Sequence, residues 1–543
     1  MTKDKVFTWR FCLCCGIFIW FIINLLQGVF TAIHEDEAYY ALFGEHLAWG
    51  YFDHPPMVAL MTFLSSHLFS GTLGVRFFTI IASCLSLFVM WKVADDTKRR
   101  EPEIFFTIAC SILILNLYGF VTTPDASLIL FSSLFLLIYQ RYLAENSWKN
   151  ALLLGITMAL MVYSKYHAFL LLGLIVLSNL KLLKDGKFYV ACFVTLVLLM
   201  PHILWQVNAD FPSFRYHLAG RSESFRWSYF LEYLPNQLLV FNPFVFGAVV
   251  YVFAKHKANG QFERGLWFVL IGFVVFFWLM SFRGHVEPHW TAVGMISAVV
   301  LLYRKALVDH KLMKYIKRVV APSLLLVLAI RIALLTPMAV PFSFCQDSSR
   351  YEAIASEASS HPVAFRGSFQ QPALYHYFTG NESSSLRCYY DRKTQYDLWL
   401  FDTAWIGQPV YVDGIGLMEH FQSANRLETE FRITNKDEHQ PITFCTDEPI
   451  HIDFSIHNSY PHTIDFQSEM LLKLLLVDDN QVRYCSYAPI PVLQPNETYR
   501  GQLTTQLGPQ TRIGKNHLLM SIGDRITIFG DLKNAVEIEV VEP

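Results

Sequence analysis

The chain has 543 residues, a formal net charge of −2 and a composition that is 53% hydrophobic. Its mean hydropathy of +0.33 is too high for a soluble enzyme of this length and predicts a multi-span membrane protein. The nearly balanced charge lacks the basic surplus that nucleic-acid binders carry, so we expect no nucleic-acid partner.

The N-terminal segment predicts a membrane helix. Lys3, Lys5 and Arg10 precede an apolar run from Phe11 to Phe30. A secretory signal has a similar pattern, but no small-x-small cleavage site precedes the acidic segment that follows, and the run is long enough to span. We therefore predict an uncleaved first helix.

Apolar runs predict about eleven membrane-spanning helices. The predicted spans are 12–31, 72–91, 104–120, 126–143, 151–163, 168–181, 188–206, 235–254, 266–282, 290–303 and 319–337. Lys and Arg concentrate in alternate loops, as in the run Lys98, Arg99 and Arg100. The positive-inside rule then places the N-terminus in the cytoplasm and, with an odd number of spans, the C-terminal part outside.

The C-terminal part has the pattern of a soluble region. Residues 338–439 combine a helical segment, RYEAIASEASS, with HPVAFRGSFQQPALYHYFTG and QPVYVDG, which we predict to be short strands joined by turns. From 440 to 543, alternation in IHIDFSI, TIDFQ, LLKLLLVD, RITIFGD and AVEIEVVE predicts a β-sandwich. The predicted fold is thus an α-helical polytopic membrane domain, 1–337, followed by an extracytoplasmic α/β region, 338–439, and an extracytoplasmic β-sandwich, 440–543.

Four cysteines lie in this polar part. Two disulfides would form among them if the region is outside the cytoplasm, although the sequence leaves the pairing open. These cysteines are Cys345, Cys388, Cys445 and Cys485.

The first predicted outer loop is acidic. It contains HEDEAYYALFGEHLAWGYFDHPPMV, residues 34–58, with no Lys or Arg. If its first half is a helix along the membrane surface, one face carries Asp36, Tyr39, Tyr40 and Phe43. Either Asp36 or Glu37 then acts as a general base on an acceptor hydroxyl, or both form a solvated first turn that the helix dipole favours.

Two further acids lie on the same predicted side. Pro55 and Pro56 force an extended segment that presents Asp53 and His54 either as a metal or phosphate site or as a hydrogen-bonded loop. Asp125 stands at the interface just before an apolar run, where an acid is either functional or a helix N-cap.

Cations cluster in the later outer loops. Residues 207–233 contain Arg215, His217 and Arg221 among aromatic side chains, which suits either a phosphate with a lipid tail or interfacial anchoring. The segment SFRGHVEPHW adds Arg283 and Glu287, and Lys165 is a lone cation at another outer turn. Together these loops predict an outward-facing site that handles a phosphate and activates a nucleophile.

The ordered motifs resemble a known family. DEAYY with GYFDHPPM, then TPDASLILF, PHILWQVNADFPSFRYH and RGHVEPHW resemble GT-C glycosyltransferases over about residues 10–335. The most similar group is that of the dolichyl-phosphate-mannose–protein mannosyltransferases, with the lipid A aminoarabinose transferases. The resemblance implies an integral membrane enzyme that transfers a sugar from a polyprenyl-phosphate donor to a hydroxyl or phosphate of a lipid, glycan or protein acceptor on the outer face, usually with inversion. The short loops and the single C-terminal outer domain favour a bacterial inner membrane over the endoplasmic reticulum, which makes the outer face periplasmic.

The resemblance also implies roles for residues. Asp36 is the expected base, Glu37 completes its motif and Asp125 is a second acid near the acceptor. The aminoarabinose branch has Glu-Lys-Pro-Pro where this chain has Asp53, His54 and two prolines. The implied divalent metal would lie at Asp53 and His217. His54 stands in place of that lysine, so the expected phosphate contact shifts to Arg221, Arg215 or Lys165. The other expected substrate contacts are His54, Tyr39, Arg283 and Glu287.

Two rival functions stay open. A lipid flippase would need acids or arginines deep within spans, whereas the sequence pattern places the charges at span ends. A surface-polysaccharide ligase of the same architecture differs only in its acceptor.

Overall fold

The computed structural model describes residues 3–95, 100–217, 226–345, 347–366, 369–386, 393–419, 421, 427–436, 442–445, 448–461, 463–466, 471–478, 481–507, 511, 513–523 and 535–541, with the backbone alone for 3–7, 478 and 481–485. The chain divides into two compact units, Met1–Gln346 and Asp347–Pro543. The predicted three-domain division stays a prediction.

The first unit is helical. Its helices are α1 (Lys3–Phe30), α2 (Glu35–Glu45), α3 (Met57–Ser66), α4 (Gly71–Ala94), α5 (Pro102–Ser111), α6 (Leu113–Leu117), α7 (Pro124–Ala144), α8 (Trp148–Ser164), α9 (His167–Ser178), α10 (Gly186–Asn208), α11 (Pro212–Arg215), α12 (Trp227–Phe241), α13 (Pro243–Lys255), α14 (Gly260–Met280), α15 (Ala292–Ala306), α16 (His310–Tyr315) and α17 (Ala321–Ala333).

Five helices in the described part of the chain are long and apolar enough to cross a membrane. They cover Thr8–Phe30, Gly71–Ala94, Pro124–Ala144, Gly186–Asn208 and Gly260–Met280, and the bent pair α12 and α13 is a sixth candidate. Because shorter apolar helices accompany them, the total of eleven spans stays a prediction.

The predicted span 104–120 is broken in the structure. Ile112 has an extended backbone between α5 and α6, which frees helical carbonyl groups inside an apolar environment. The Asn116 side-chain amide donates hydrogen bonds to the carbonyls of Cys110, at 2.7 Å, and Ile112, at 2.9 Å. The amide thus satisfies the backbone where the helix is interrupted.

The predicted span 235–254 is also interrupted. Helices α12 and α13 meet at an angle of 98° at Asn242, whose φ is +71°. Pro243 disfavours a helical conformation at the preceding residue, and Asn tolerates positive φ. The Asn242 amide donates to the carbonyl of Ser111 and to the Ser323 hydroxyl, both at 2.9 Å, so this bend is anchored beside the break after α5.

The described residues of the second unit form three sheets. A parallel core of β4 (Ser383–Leu386), β3 (Val363–Arg366) and β5 (Val410–Val412) continues into antiparallel β6 (Gly416–Met418). Earlier in the chain, the first unit has two short strands, β1 (Ile33–His34) and β2 (Phe344–Cys345), which pair antiparallel. Helices α18 (Ser349–Ala358), α19 (Gln370–Thr379) and α20 (Tyr396–Trp399) complete this part.

One strand prediction here is wrong. The segment QQPALYHYFT forms helix α19 instead of a strand. Pro372 lies in its first turn, where a missing N–H costs nothing, and Gly380 ends it with φ +72°. The helix of RYEAIASEA and the strand of QPVYVDG are confirmed as α18 and β5.

The remaining strands form two sheets with a common hydrophobic cluster. One has the order β12 (Thr498–Gln506), β9 (Pro449–Asn458), β7 (Leu427–Ile433). The other has the order β11 (Gln481–Pro489), β10 (Leu471–Asp478), β13 (Gly514–Gly523), β14 (Val536–Val541), β8 (Ile442–Cys445). The C-terminal region is therefore rich in sheet, as predicted.

Individual strand predictions had different outcomes. IHIDFSI, LLKLLLVD and AVEIEVV lie in β9, β10 and β14. TIDFQ contributes only an isolated bridge, from Ile464 to Leu493. RITIFGD lies outside the described residues, as do Cys388 and the side chain of Cys485, so the disulfides stay a prediction.

Candidate active site

Helix α2 forms the first wall of the site. Its start is a capping box, because the His34 ring accepts a hydrogen bond from the Asp36 N–H at 3.1 Å and the Glu37 carboxylate accepts one from the His34 N–H at 3.0 Å. Tyr39 and Phe43 are buried, and Asp36 is half-buried. The predicted helix is thus confirmed, and its position at a membrane surface stays a prediction.

Glu37 lies in a buried ion pair. Its carboxylate and the Arg76 guanidinium form two hydrogen bonds, at 2.8 and 2.5 Å, and both side chains are fully buried. The Thr122 N–H donates a further bond at 2.8 Å. Arg76 also donates to the carbonyls of Gly28, Thr31 and Ala32. This pair therefore connects α2, α4 and the segment before α7.

Arg76 contradicts the prediction that charges lie only at span ends. It lies within the predicted span 72–91, and Arg331 lies within the predicted span 319–337, so charges are not restricted to span ends. Arg331 is 6% exposed and bonds to Asn24 and Asn116. Hydrophobic periodicity cannot reveal such partners, because they come from helices distant in sequence.

Asp125 lies in the first turn of α7 and forms a second buried pair. Its carboxylate accepts a hydrogen bond from the Lys165 ammonium at 2.7 Å, and the two side chains are 3% and 8% exposed. The His289 Nε2 lies 3.8 Å from the same carboxylate. Three segments that are far apart in sequence thus meet at Asp125. The predicted cation Lys165 contacts the predicted catalytic residue Asp125 there.

Tyr118 lies beside the Asp125 pair. The His289 ring, whose Nε2 is 3.8 Å from the Asp125 carboxylate, lies edge-on to Tyr118, with 6.0 Å between centroids. Asp125, Tyr40, Glu287 and Asp36 act electrostatically on the Tyr118 hydroxyl, so acids from three predicted outer loops lie within electrostatic range of it.

The loop that carries Asp53 and His54 is held by neutral groups. The Tyr51 hydroxyl lies within hydrogen-bond distance of the Phe43 and His46 carbonyls and donates its proton to this pair of acceptors. It also accepts a hydrogen bond from the Ala48 N–H at 3.0 Å. Burial raises the pKa of Tyr51 above its usual value, against the smaller effect of the Ala48 bond, so the phenol stays neutral. His54 lies 3.2 Å from the Tyr40 hydroxyl.

A hydrogen-bonded network supports the same loop from α10. Gln206 donates to the Tyr166 hydroxyl at 2.9 Å and to Ser213 at 2.8 Å, and Ser213 donates to the Tyr51 carbonyl at 2.8 Å. His202 contacts both Tyr166 and the Trp49 carbonyl. Because the members are buried and mutually bonded, we infer that they fix the position of the loop.

The remaining predicted cations are more exposed. Arg215 pairs with Asp210, and both side chains are 68% exposed. Arg283 is exposed, and Glu287 lies 3.8 Å from the His285 ring. Arg221 lies outside the described residues.

The proposed metal ligands are only partly consistent with a metal. His217 Nε2 lies 3.1 Å from the Asp53 backbone carbonyl, so that nitrogen is a hydrogen-bond donor to the carbonyl. The described residues contain no group of three His, Cys, Asp or Glu side chains that could hold a metal ion. Three protein ligands are usual for a catalytic zinc, so we assign no reaction step to a metal.

Sequence reasoning missed several residues of the site. Arg76, Tyr118, Tyr166, Gln206 and His289 all contact or support the predicted acids. A polar residue inside an apolar run is a usable signal for Arg76 and Gln206. Tyr118 has no such signal, since aromatic residues are common at membrane interfaces.

Known proteins resemble this chain in sequence and in fold. Residues 53–205 match the family described as dolichyl-phosphate-mannose-protein mannosyltransferase. Lipid A galacturonosyltransferase RgtD from Rhizobium johnstonii is 23% identical over 310 residues, which cover 53% of this chain and 64% of that protein. The chain thus spans slightly less than two thirds of this curated relative.

Two crystal structures share the fold. ArnT from Cupriavidus metallidurans in the apo state aligns with a TM-score of 0.55 at 13% identity, over 75% of this chain and 93% of ArnT. ArnT bound to undecaprenyl phosphate aligns with a TM-score of 0.56 at 14% identity, over 74% of this chain and 92% of ArnT. The chain therefore shares the fold of ArnT. The region that matches the mannosyltransferase family contains Asp53, Asp125 and Lys165, whereas Asp36 and Glu37 precede it.

Proposed function

We propose that this chain is a GT-C glycosyltransferase that transfers a sugar from a polyprenyl-phosphate donor to a hydroxyl acceptor at the outer face of a bacterial inner membrane. The N-terminus is then cytoplasmic and the C-terminal unit periplasmic. The observation that supports this most is the buried pair of Lys165 and Asp125, with the His289 ring 3.8 Å from the same carboxylate. The structure of ArnT with undecaprenyl phosphate suggests the donor class.

The transfer is proposed to invert the anomeric centre. Asp36 removes the proton of the acceptor hydroxyl as that oxygen forms a bond to the anomeric carbon. The bond from this carbon to the phosphate oxygen breaks on the opposite face, and the electron pair leaves with the lipid phosphate. Because a phosphate is a good leaving group, no general acid is required. Cations that stabilise its charge contribute to catalysis.

The structure supports Asp36 rather than Glu37 as the base. Asp36 is half-buried, whereas Glu37 is fully buried and bonded to Arg76, His34 and Thr122. A carboxylate that already accepts these bonds lacks access to a substrate. We therefore propose that Glu37 holds α2 in place and that Asp36 contacts the acceptor.

Lys165 is the proposed phosphate contact. Its ammonium is already positioned by Asp125 and lies in the polar cluster that also includes His289. A lysine ammonium has three donors, so its bond to Asp125 leaves two for a phosphate oxygen. Arg215, Arg221 and Arg283 are proposed to attract the anionic donor from the outer face, where charge acts through steering.

The test is transfer by the purified full chain in lipid nanodiscs. The substrate is undecaprenyl-phosphate hexose, the acceptor is total envelope lipid, and release of undecaprenyl phosphate is the measurement. Asp36→Asn should lower the turnover number by about 10²–10⁴-fold, the usual contribution of a general base. Glu45→Gln, on the last turn of the same helix, is the matched control and should retain activity. Equal turnover by wild type and Asp36→Asn would contradict the proposal.

A divalent cation at Asp53 and His217 is a separate proposal. If the site uses one, dialysis against a chelator should lower turnover, and Mg²⁺ or Mn²⁺ should restore it. Asp53→Asn should abolish this restoration without changing the thermal stability of the chelated protein. Undiminished turnover after chelation would refute a metal at this site and leave the role of Asp36 unaffected.

A flippase is the second candidate function. Buried charges inside predicted spans, at Arg76 and Arg331, are the feature that favours it. Movement of a fluorescent undecaprenyl-phosphate analogue across proteoliposomes, without release of undecaprenyl phosphate from a sugar donor, would support transport instead of transfer.

A further inference from the structure

The parallel sheet of the second unit has a topological switch point. Strand β3 lies in the middle of the parallel core, between β4 and β5. The chain leaves β3 through α19 and reaches β4 on one side, whereas the next parallel strand, β5, lies on the other side. Where the strand order reverses in this way, a crevice opens at the carboxyl ends of the strands, and α/β proteins commonly bind ligands there. The carboxyl ends of β3 and β5 are therefore the place where the topology favours a ligand.

Four elements bring residues to this edge of the sheet. Arg366 ends β3, and Asp413 and Gly414 directly follow β5. The Arg366 Nε donates a hydrogen bond to the Asp413 backbone carbonyl at 3.2 Å. Arg350, in the first turn of α18, donates to the Asp413 carboxylate at 2.9 Å and to the Gln371 side chain, in the first turn of α19, at 3.0 Å. One hydrogen-bonded network thus joins the starts of two helices to the ends of two strands.

Arg366 has more donors than the structure uses. A guanidinium has five N–H donors in a planar fork. Among the described residues, its hydrogen-bond partner is the Asp413 carbonyl alone, which takes the Nε proton. Anchoring of the turn after β5 explains that bond but gives no role to Nη1 and Nη2. Because these two nitrogens form a fork that matches two oxygens of one oxyanion, the half-buried side chain is suited to an anionic ligand.

Gly414 makes room for the guanidinium. Its φ of +77° is a conformation that favours glycine. In addition, a Cβ at this position would lie 2.6 Å from the Arg366 Nη2, so any side chain here would displace the fork. The glycine thus permits the turn and also the close approach of the arginine to it.

The charges at this edge leave Arg366 available to an anion. The Asp413 carboxylate pairs with Arg350 at 2.9 Å and offers Arg366 only its backbone carbonyl. Two other acids, Asp347 and Glu352, lie at the start of α18, where both are exposed and bonded within that turn. Since solvent and salt screen exposed charges, these acids weaken the local attraction for an anion without removing it.

We propose that Arg366, Gly414 and the start of α19 form a binding site for a phosphate monoester, carried by a soluble sugar or by a lipid headgroup. The site lies in a different unit from Lys165. Helix α19 begins at this edge and adds the positive end of its dipole to the arginine fork. The inference goes beyond the proposed function, because sugar transfer requires only the phosphate of the donor.

Equilibrium binding to the full chain in phosphatidylcholine nanodiscs tests the site. These lipids contain no phosphate monoester. The probes are glucose 1-phosphate, dihexanoyl phosphatidic acid and, as a carboxylate, glucuronate. Arg366→Gln should raise the Kd for both phosphate probes about 10- to 100-fold, as expected for lost hydrogen bonds to a charged group. Arg366→Lys keeps the charge but loses the fork, so it should raise the Kd by a smaller factor, about 3- to 10-fold.

Two variants separate this site from other sources of phosphate binding. Lys515→Gln removes another cation of the same unit, one that pairs with Glu537 and is 77% exposed, and it should leave the Kd unchanged. Lys165→Met removes the proposed phosphate contact of the first unit and should also leave the Kd of these probes unchanged. Thermal melting shows whether each variant is folded, and Arg366→Lys provides the comparison if Arg366→Gln is unfolded.

Each outcome bears on one part of the proposal. Tighter binding of phosphatidic acid identifies a lipid headgroup as the source, and tighter or equal binding of glucose 1-phosphate identifies the phosphate group itself. Glucuronate that binds as tightly as glucose 1-phosphate would overturn the assignment to phosphate. The site is refuted if wild type binds neither phosphate probe, if both Arg366 variants keep the wild-type Kd, or if Lys165→Met abolishes binding. None of these failures affects the proposed sugar transfer, which is measured by release of undecaprenyl phosphate.

Discussion

Two buried lysine–carboxylate pairs in the helical unit have nearly the same geometry. Lys165 lies 2.7 Å from Asp125, and Lys305 lies 2.6 Å from Glu263. All four side chains are at most 10% exposed. The pairs differ in what surrounds them, because His289 lies 3.8 Å from Asp125 in the first pair and its ring contacts Tyr118 edge-on.

The second pair has the contacts of a structural clamp. Glu263 also lies near Arg304 and caps the N–H of Asn259, and Arg304 donates to the Val93 carbonyl. Glu263 is in the first turn of α14, whereas Ser281 and the His289 segment follow the other end of that helix. Burial and pairing alone therefore do not mark an active site. The first pair differs in having the His289 ring and the Tyr118 ring beside it.

Of the two lysine pairs, the first should have the larger effect on turnover. Lys165→Met should lower the turnover number about 10²–10³-fold, comparable to the loss of one group that stabilises the charge of a transition state. Release of undecaprenyl phosphate measures it. Combining this change with Asp125→Asn removes the unpaired buried charge, so thermal stability should recover while turnover stays low. Recovery of both would show that Lys165 is structural.

A smaller loss of turnover is expected at Glu37. Glu37→Gln should lower turnover about 10²-fold, because a small displacement of Asp36 costs that much. It should also lower the free energy of unfolding by about 3–5 kcal/mol, since Arg76 is left unpaired. Thermal melting and donor turnover measure the two effects. If kcat is unchanged while stability falls, the pair does not position Asp36.

The second pair should affect stability but not turnover. Lys305→Met leaves Glu263 buried with a weaker set of partners, so the free energy of unfolding should fall by up to about 3–5 kcal/mol. Below its melting temperature the variant should keep the wild-type kcat and donor KM. A drop in kcat like that of Lys165→Met would abolish the contrast between the two pairs.

The exposed pair of Arg215 and Asp210 should contribute least. Surface ion pairs stabilise proteins by about 0–1 kcal/mol, so Asp210→Asn should leave the melting temperature nearly unchanged. Arg215→Ala should reduce the donor association rate at low salt and lose this effect at high salt, as screening predicts. A change in kcat that is independent of salt would place Arg215 at the reacting phosphate.

The sequence predicted some elements of the site better than others. The acidic motif predicted α2 correctly, because capping residues and a buried aromatic face act within a few residues. The segment before Thr379 was predicted as strand and is helix, since its apolar residues do not distinguish the two periods. The spans interrupted at Ile112 and Asn242 depend on hydrogen bonds from the Asn116 and Asn242 side-chain amides to backbone carbonyls, which apolar run lengths do not encode.

By itself, the sequence determined that the chain is a helical membrane protein with a sheet-rich C-terminal region and an acidic segment after its first helix. Composition, run length and alternation record these properties locally. Only the tertiary structure decided that Glu37 pairs with Arg76, that Lys165 pairs with Asp125, and that His289 lies beside the same acid. Two adjacent acids, Asp36 and Glu37, differ in burial because helix packing, and not residue type, sets which carboxylate is enclosed.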